Sequence, residues 1–127
     1  FEKSDLSYIK NIFKKLKIGI ATNPKNFDKN YFKSISSIVD IFYYDLNIYK
    51  DDKIETFSLH EYIDQIKFLK ILEKPIYIGG GINHNNAKII MDTAKPNGLD
   101  VSRSLKDKKN NISETKLKRL IYSLSGD

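Results

Sequence analysis

The chain has no cysteine, no tryptophan and one methionine in 127 residues. Without cysteine there is no disulfide framework, and no thiol of this chain can serve as nucleophile, base or metal ligand. No apolar run approaches the ~20 residues needed to cross a bilayer, so no transmembrane helix and no membrane partner are expected. The opening residues Phe1-Glu2-Lys3-Ser4-Asp5 lack the basic region and apolar stretch of a signal peptide, and the expected location is cytoplasmic. They also lack an initiator methionine, so the chain is expected to be the remainder of a longer one. Arginine is scarce: of 22 basic residues only Arg103 and Arg119 are arginines, and 16 acids sit among the lysines. The net charge of +6 is therefore diffuse, and even the densest run, Lys106-Asp107-Lys108-Lys109, contains an acid. Nucleic-acid readers concentrate basic residues and favour arginine forks, so the charge reads as a solvated surface with no nucleic-acid partner.

Against these absences stand a hydrophobic content of 40% and 15 aromatic residues, enough to argue against disorder and for a single domain over residues 1–127. Apolar residues at helical spacing predict a helix from Ser4 to Leu16, with Ser4 as its cap. Four strand–helix units follow. The strands are Lys17–Thr22, Val39–Asp45, Pro75–Ile78 and Leu99–Ser102. The helices are capped by Asp28, by a Ser58-x-x-Glu61 capping box, by Asn83 and by Ser113. Alternation of this kind means parallel strands joined by crossover helices. A full (β/α)8 barrel needs ~200–250 residues. The fold class is therefore α/β, as half of such a barrel or as a small flavodoxin-like sheet.

In parallel α/β folds the site lies beyond the carboxyl ends of the strands. Those ends present Thr22 and Asn23, then Asp45, then Gly80-Gly81, then Asp100, Ser102, Arg103 and Ser104. The turn Gly79-Gly80-Gly81-Ile82-Asn83 joins a strand directly to a helix start, where close backbone approach and unpaired amides favour phosphate. Ser102-Arg103-Ser104 adds hydroxyls and a guanidinium one unit later, so a sugar-phosphate site is the favoured reading. Asp45 ends an apolar strand, a partly desolvated setting that suits a general acid and equally suits a helix-capping or loop-anchoring aspartate. Asp100 serves as a substrate contact or as a structural hydrogen-bonding group. His60 and His84 are too few for a metal site, and no metal is expected. Of Tyr43 and Tyr44, alternation allows one to line the barrel interior and the other to pack beneath a helix, with core packing the default expectation for both.

The segment from Pro75 to Asn86, followed by Gly98-Leu99-Asp100-Val101-Ser102-Arg103-Ser104, resembles phosphoribosylanthranilate isomerase. That family shows an Ala-Gly-Gly-Leu turn, a Pro-x-Asn helix start and then Gly-Val-Asp-Val-Ser-Ser-Gly. The resemblance is looser, but in register, from Lys17 to Asp45, and it places the chain on strands five to eight of a (β/α)8 barrel. It implies an isomerase of tryptophan biosynthesis. The reaction is the Amadori rearrangement of N-(5-phosphoribosyl)anthranilate to 1-(2-carboxyphenylamino)-1-deoxyribulose 5-phosphate, without metal or cofactor. It further implies that Asp45 is the general acid that protonates the ring oxygen. The amides around Gly80, Gly81, Ser102 and Arg103 would then hold the phosphate, with Asp100 near the sugar. The family's general base is a cysteine on the first strand, in a Lys-Ile-Cys-Gly motif, and its second strand carries an arginine for the anthranilate carboxylate. Neither is present here, so the amino-terminal half of the barrel is an expected partner, on the same longer chain or another. The loop Asn47 to Ser58 lacks the family's glycines and keeps only Thr56-Phe57. Two alternatives follow: a non-catalytic phosphate-binding half-barrel, and another sugar-phosphate barrel such as thiamine-phosphate synthase, which shares a Gly-Gly-Ile turn but not Asp100-Val101-Ser102.

Overall fold

A computed structural model describes residues 1–46 and 56–125. Helix α1 (Lys3–Ile12) precedes four parallel strands, β1 (Gly19–Thr22), β2 (Ile41–Asp45), β3 (Ile76–Gly79) and β4 (Gly98–Leu99). Between and after them lie α2 (Lys29–Ile35), α3 (Thr56–Ile71), α4 (Ala87–Ala94), a 3-10 turn (Arg103–Leu105) and α5 (Glu114–Leu124). The sheet order is β1-β2-β3-β4, with every pairing parallel. A flavodoxin-like sheet departs from sequential strand order and carries helices on both faces. Here the order is sequential. Phe42, Tyr44, Ile76 and Ile78 are fully buried, while the alternating Tyr43 is 38% exposed and Tyr77 half-buried. One face is therefore helix-covered and the other open, which is the one-sided winding of a barrel segment.

The core explains the elements. Phe32 and Ile35 of α2, Leu59, Ile66 and Leu69 of α3, and Ala87, Ile90 and Ala94 of α4 recur at helical spacing, and all pack in one cluster with the buried strand residues. Leu120 from α5 closes the same cluster. Asp28 and Ser113 cap as expected, accepting from the amides of Tyr31 at 3.0 Å and Lys116 at 3.3 Å.

Several sequence expectations shift. Glu2, not Ser4, precedes α1, its amide bonded to Asp5 at 2.9 Å, and the helix stops at Ile12 rather than Leu16. Asn86, not Asn83, stands at the cap position of α4. Asn83 begins a turn: its amide donates to Asn86 Oδ1 at 2.8 Å and its carbonyl accepts from Ala87. Helix α3 already runs at Ser58, so Ser58 lies inside the helix, while the side chains of the Ser58–Glu61 capping box fall outside the described residues. Strand β4 ends at Leu99, not Ser102. The Asp100 amide still reaches the Ile78 carbonyl at 2.8 Å, but β3 turns away after Gly79 and leaves no partner beyond.

Asp40 fastens the amino ends of the first two strands. Its carboxylate accepts from the Ile18 amide at 2.7 Å, and Lys10 and Lys17 lie 3.3 and 3.5 Å from it. The Ile18 hydrogen bond, then the two ammonium groups, hold its pKa below the usual value against the opposing effect of partial burial.

Candidate functional site

Parallel pairing brings every strand's carboxyl end to one rim, and register decides which side chains meet there. Asp45 pairs with Gly79, and Asp100 lies next to Gly79 on the other side, 3.1 Å from where a Cβ would stand. Asp45 and Asp100 therefore flank Gly79 on the open face, two strands apart, or about 10 Å. One layer below, Tyr43 pairs with Tyr77, and their rings meet edge-on with centroids 5.8 Å apart.

After β3 the backbone turns through Gly80 and Gly81 with φ of 86° and 104°, a region L side chains rarely adopt. Among the described residues, the amides of Gly80 and Gly81 donate to no protein acceptor. The adjoining loop is fixed by two polar contacts. Asn86 donates to the Gly81 carbonyl at 2.9 Å, and the Ser104 hydroxyl donates to the Ile82 carbonyl at 2.6 Å. These bonds lock the glycine turn and the Ser102–Ser104 turn together.

The result is an open cavity of about 820 Å³, lined by Asp45, Gly80, Gly81, Asp100, Ser102, Arg103 and Ser104. Asp45, Asp100, the glycine turn and Ser102–Ser104 thus meet in one place, whereas Thr22 and Asn23 do not join them. Asp45 is half-buried, whereas Asp100 and Arg103 are exposed. Ser104 has a structural task, since its hydroxyl proton is directed at Ile82. Unpaired glycine amides, serine and a guanidinium around a rim with two carboxylates can bind a dianionic group at one end and move a proton at the other.

The first strand contributes differently from expectation. Thr22 is buried with its hydroxyl on the Asn26 carbonyl at 3.0 Å, and Asn23 closes a turn by accepting from the amides of Lys25 and Asn26. Ala21, Tyr43 and Tyr77 line the cavity instead, a role visible in the sequence only once the strand register is known. Tyr44 points the other way, beneath α3, and donates to Gln65 Oε1 at 2.6 Å. Burial, and then the neighbouring Tyr62, push its pKa up. His60 is exposed and outside the cavity, and His84 lines a separate cleft. Among the described residues no group of three His, Cys, Asp or Glu could hold a metal ion, and no helix is long and apolar enough to cross a membrane. The loop Asn47 to Glu55 and the Thr56-Phe57 side chains lie outside the described residues.

No protein-family model matches the chain. It is 27% identical over 96 residues to N-(5'-phosphoribosyl)anthranilate isomerase 2 of Methanosarcina mazei, covering 75% of this chain and 42% of that protein. It is 39% identical over 59 residues to N-(5'-phosphoribosyl)anthranilate isomerase of Methanocaldococcus jannaschii, covering 43% of this chain and 26% of that protein. Among solved structures, the N-(5'-phosphoribosyl)anthranilate isomerase of Pyrococcus furiosus superposes with a TM-score of 0.64 at 16% identity, over 98% of this chain and 58% of that one. Phosphoribosyl anthranilate isomerase from Thermus thermophilus gives 0.51 at 10% identity, over 98% and 68%. The chain thus spans less than half the length of the curated relatives it matches. The structural likeness establishes the fold, that of a (β/α)8 barrel in part.

Proposed function

We propose that this chain supplies the acid and the phosphate grip of an isomerase acting on N-(5-phosphoribosyl)anthranilate. The observation that carries this reading is the rim itself: Asp45, Gly79 and Asp100 in one row, with the glycine turn and Ser102-Arg103 beside them in one cavity. The sugar phosphate sits on the amides of Gly80 and Gly81, with Ser102 and Arg103 completing its charge neutralisation. Asp100 then faces the ribose, and Asp45 protonates the ring oxygen as the furanose opens. The anthranilate end projects over Tyr43 and Tyr77, toward the side where the remaining strands of a barrel close. That amino-terminal half, as part of a longer chain or as a partner, provides the base for the later proton transfer. A cytoplasmic setting suits such a biosynthetic step.

The test is turnover of N-(5-phosphoribosyl)anthranilate by this chain combined with the amino-terminal half of a barrel isomerase. Asp45→Asn is expected to lower the rate by about 10²–10⁴-fold while leaving product binding in place. An unchanged rate, or no binding of the phosphorylated product, overturns the reading. A second reading is a half-barrel that binds phosphosugars without turning them over. Product binding with no turnover in the combined preparation would select it.

A further inference from the structure

Behind the glycine turn lies a second cavity of about 330 Å³, between the Asn83–Asn85 turn and α5. It is separate from the substrate cavity, but Arg103 and Ser104 form a wall common to both. The chain has only two arginines among its 22 basic residues, and both, Arg103 and Arg119, line this cleft. Lys116 and His84 join them, and among the described residues no acid lines it. Helical spacing explains the concentration on α5. Lys116 and Arg119 are three residues apart and share a face, whereas Glu114 points elsewhere and pairs with Lys118 at 2.8 Å. Asp107, the acid of the preceding loop, accepts from the amides of Lys109 and Asn111. Lys116 is held in place, its ammonium 2.6 Å from the Lys106 carbonyl, and an ammonium has two further donors to offer. Asn83 and Asn85 complete the lining with amide side chains.

We infer that this cleft binds a small phosphate-bearing polyanion, distinct from the substrate, and that Arg103 couples the two cavities. Arginine forks match phosphate oxygens in pairs, which a diffuse lysine surface does not. The volume falls in the lower range of small-molecule pockets and exceeds the needs of a single phosphate group. A ligand here draws on the guanidinium that also borders the substrate cavity, so occupancy of one site weakens the other. By linkage the effect runs equally in both directions. The inference rests on the cleft's own residues and does not require the isomerase reading.

The experiment is calorimetric titration of the chain with sodium pyrophosphate at constant ionic strength, with orthophosphate in a parallel arm. Saturable pyrophosphate binding is expected. The double variant Lys116→Gln/Arg119→Gln should weaken it by roughly tenfold or more, which is ~1.4 kcal/mol or more. Both positions are exposed on α5, so the fold is retained, as circular dichroism will verify. Arg119→Lys tests the fork and should lose part of the affinity. Binding of the phosphosugar product to the substrate cavity should be unaffected by the double variant, and pyrophosphate should weaken it only where Lys116 and Arg119 are intact. Equal weakening in the double variant would mean direct competition in the substrate cavity and would overturn the coupling. Tighter binding of orthophosphate than of pyrophosphate would reassign the cleft to single phosphate groups and overturn the polyanion assignment. Affinity unchanged in the double variant, or binding of single-stranded RNA with no pyrophosphate binding, would overturn the inference. Because pyrophosphate is read directly, failure of the product to bind would count against the isomerase reading alone.

Discussion

Tyr43 and Tyr44 are neighbours of the same type with opposite surroundings. Tyr44 is wholly buried among helix residues, its hydroxyl on Gln65. Tyr43 lies on the open face, 38% exposed, against Tyr77. The two faces of one sheet thus divide the work. The helix side carries the apolar burial that holds the domain together. The open side, with Ala21, Tyr43, Tyr77 and the Asp45–Gly79–Asp100 row, carries little of that burial and presents chemistry instead. Stability and function therefore sit on alternating residues of the same strands.

Substitutions can break this contrast. Tyr44→Ala should cost about 3–5 kcal/mol in chemical denaturation, as for other large aromatic truncations in a core. Its hydroxyl adds a pH signature. The folded-state pKa is raised above 10.0, so the contribution is complete below pH 10 and fades as pH rises through the higher folded value. Tyr44→Phe should flatten that alkaline loss in a series of unfolding curves. Gly81→Ala should cost about 1–3 kcal/mol, because a side chain is forced into the positive-φ region, and should also weaken binding of the phosphorylated product. Asp40→Asn should cost about 1 kcal/mol at neutral pH, because it removes the charge that strengthens the bond from the Ile18 amide and pairs with Lys10 and Lys17. The Asp40 pKa is depressed below 3.8, so its stabilisation is full above that value and disappears as pH falls through the folded pKa. Wild type and Asp40→Asn should therefore converge in acid. Tyr43→Ala should have the smallest effect, under ~1 kcal/mol. A large loss there would mean that the open face is as structural as the covered one.

Much of this was readable in advance because capping and alternation are local. Asp28 and Ser113 bind amides three residues away, and apolar spacing marks α2, α3 and α5. The rim residues were also legible, since in a parallel sheet they follow the strands. Long-range pairing was not. Asp40 meets Ile18 and Lys10, 22 and 30 residues distant, and Ser104 meets Ile82 across 22. Nothing local distinguishes these residues from other strand-edge aspartates or loop serines. The shift of the α4 cap from Asn83 to Asn86 has a nearer cause. Both asparagines can bond backbone amides, and the Gly81 carbonyl draws Asn86 into place. The basic cleft is not legible in the sequence, because Arg103 and Arg119 are brought together only by the packing of α5 behind the glycine turn.

The glycines at the two sides of the sheet have a consequence for the cavity. A Cβ on Gly19 would strike the Tyr43 ring at 2.8 Å, and one on Gly98 would strike Tyr77 at 2.7 Å. Each outer strand is thus bare where an inner tyrosine leans over it, and the two rings line the cavity instead of being pushed up into it. A methyl at either glycine would force its tyrosine to shift, so the shape of the cavity is set partly from positions that do not line it.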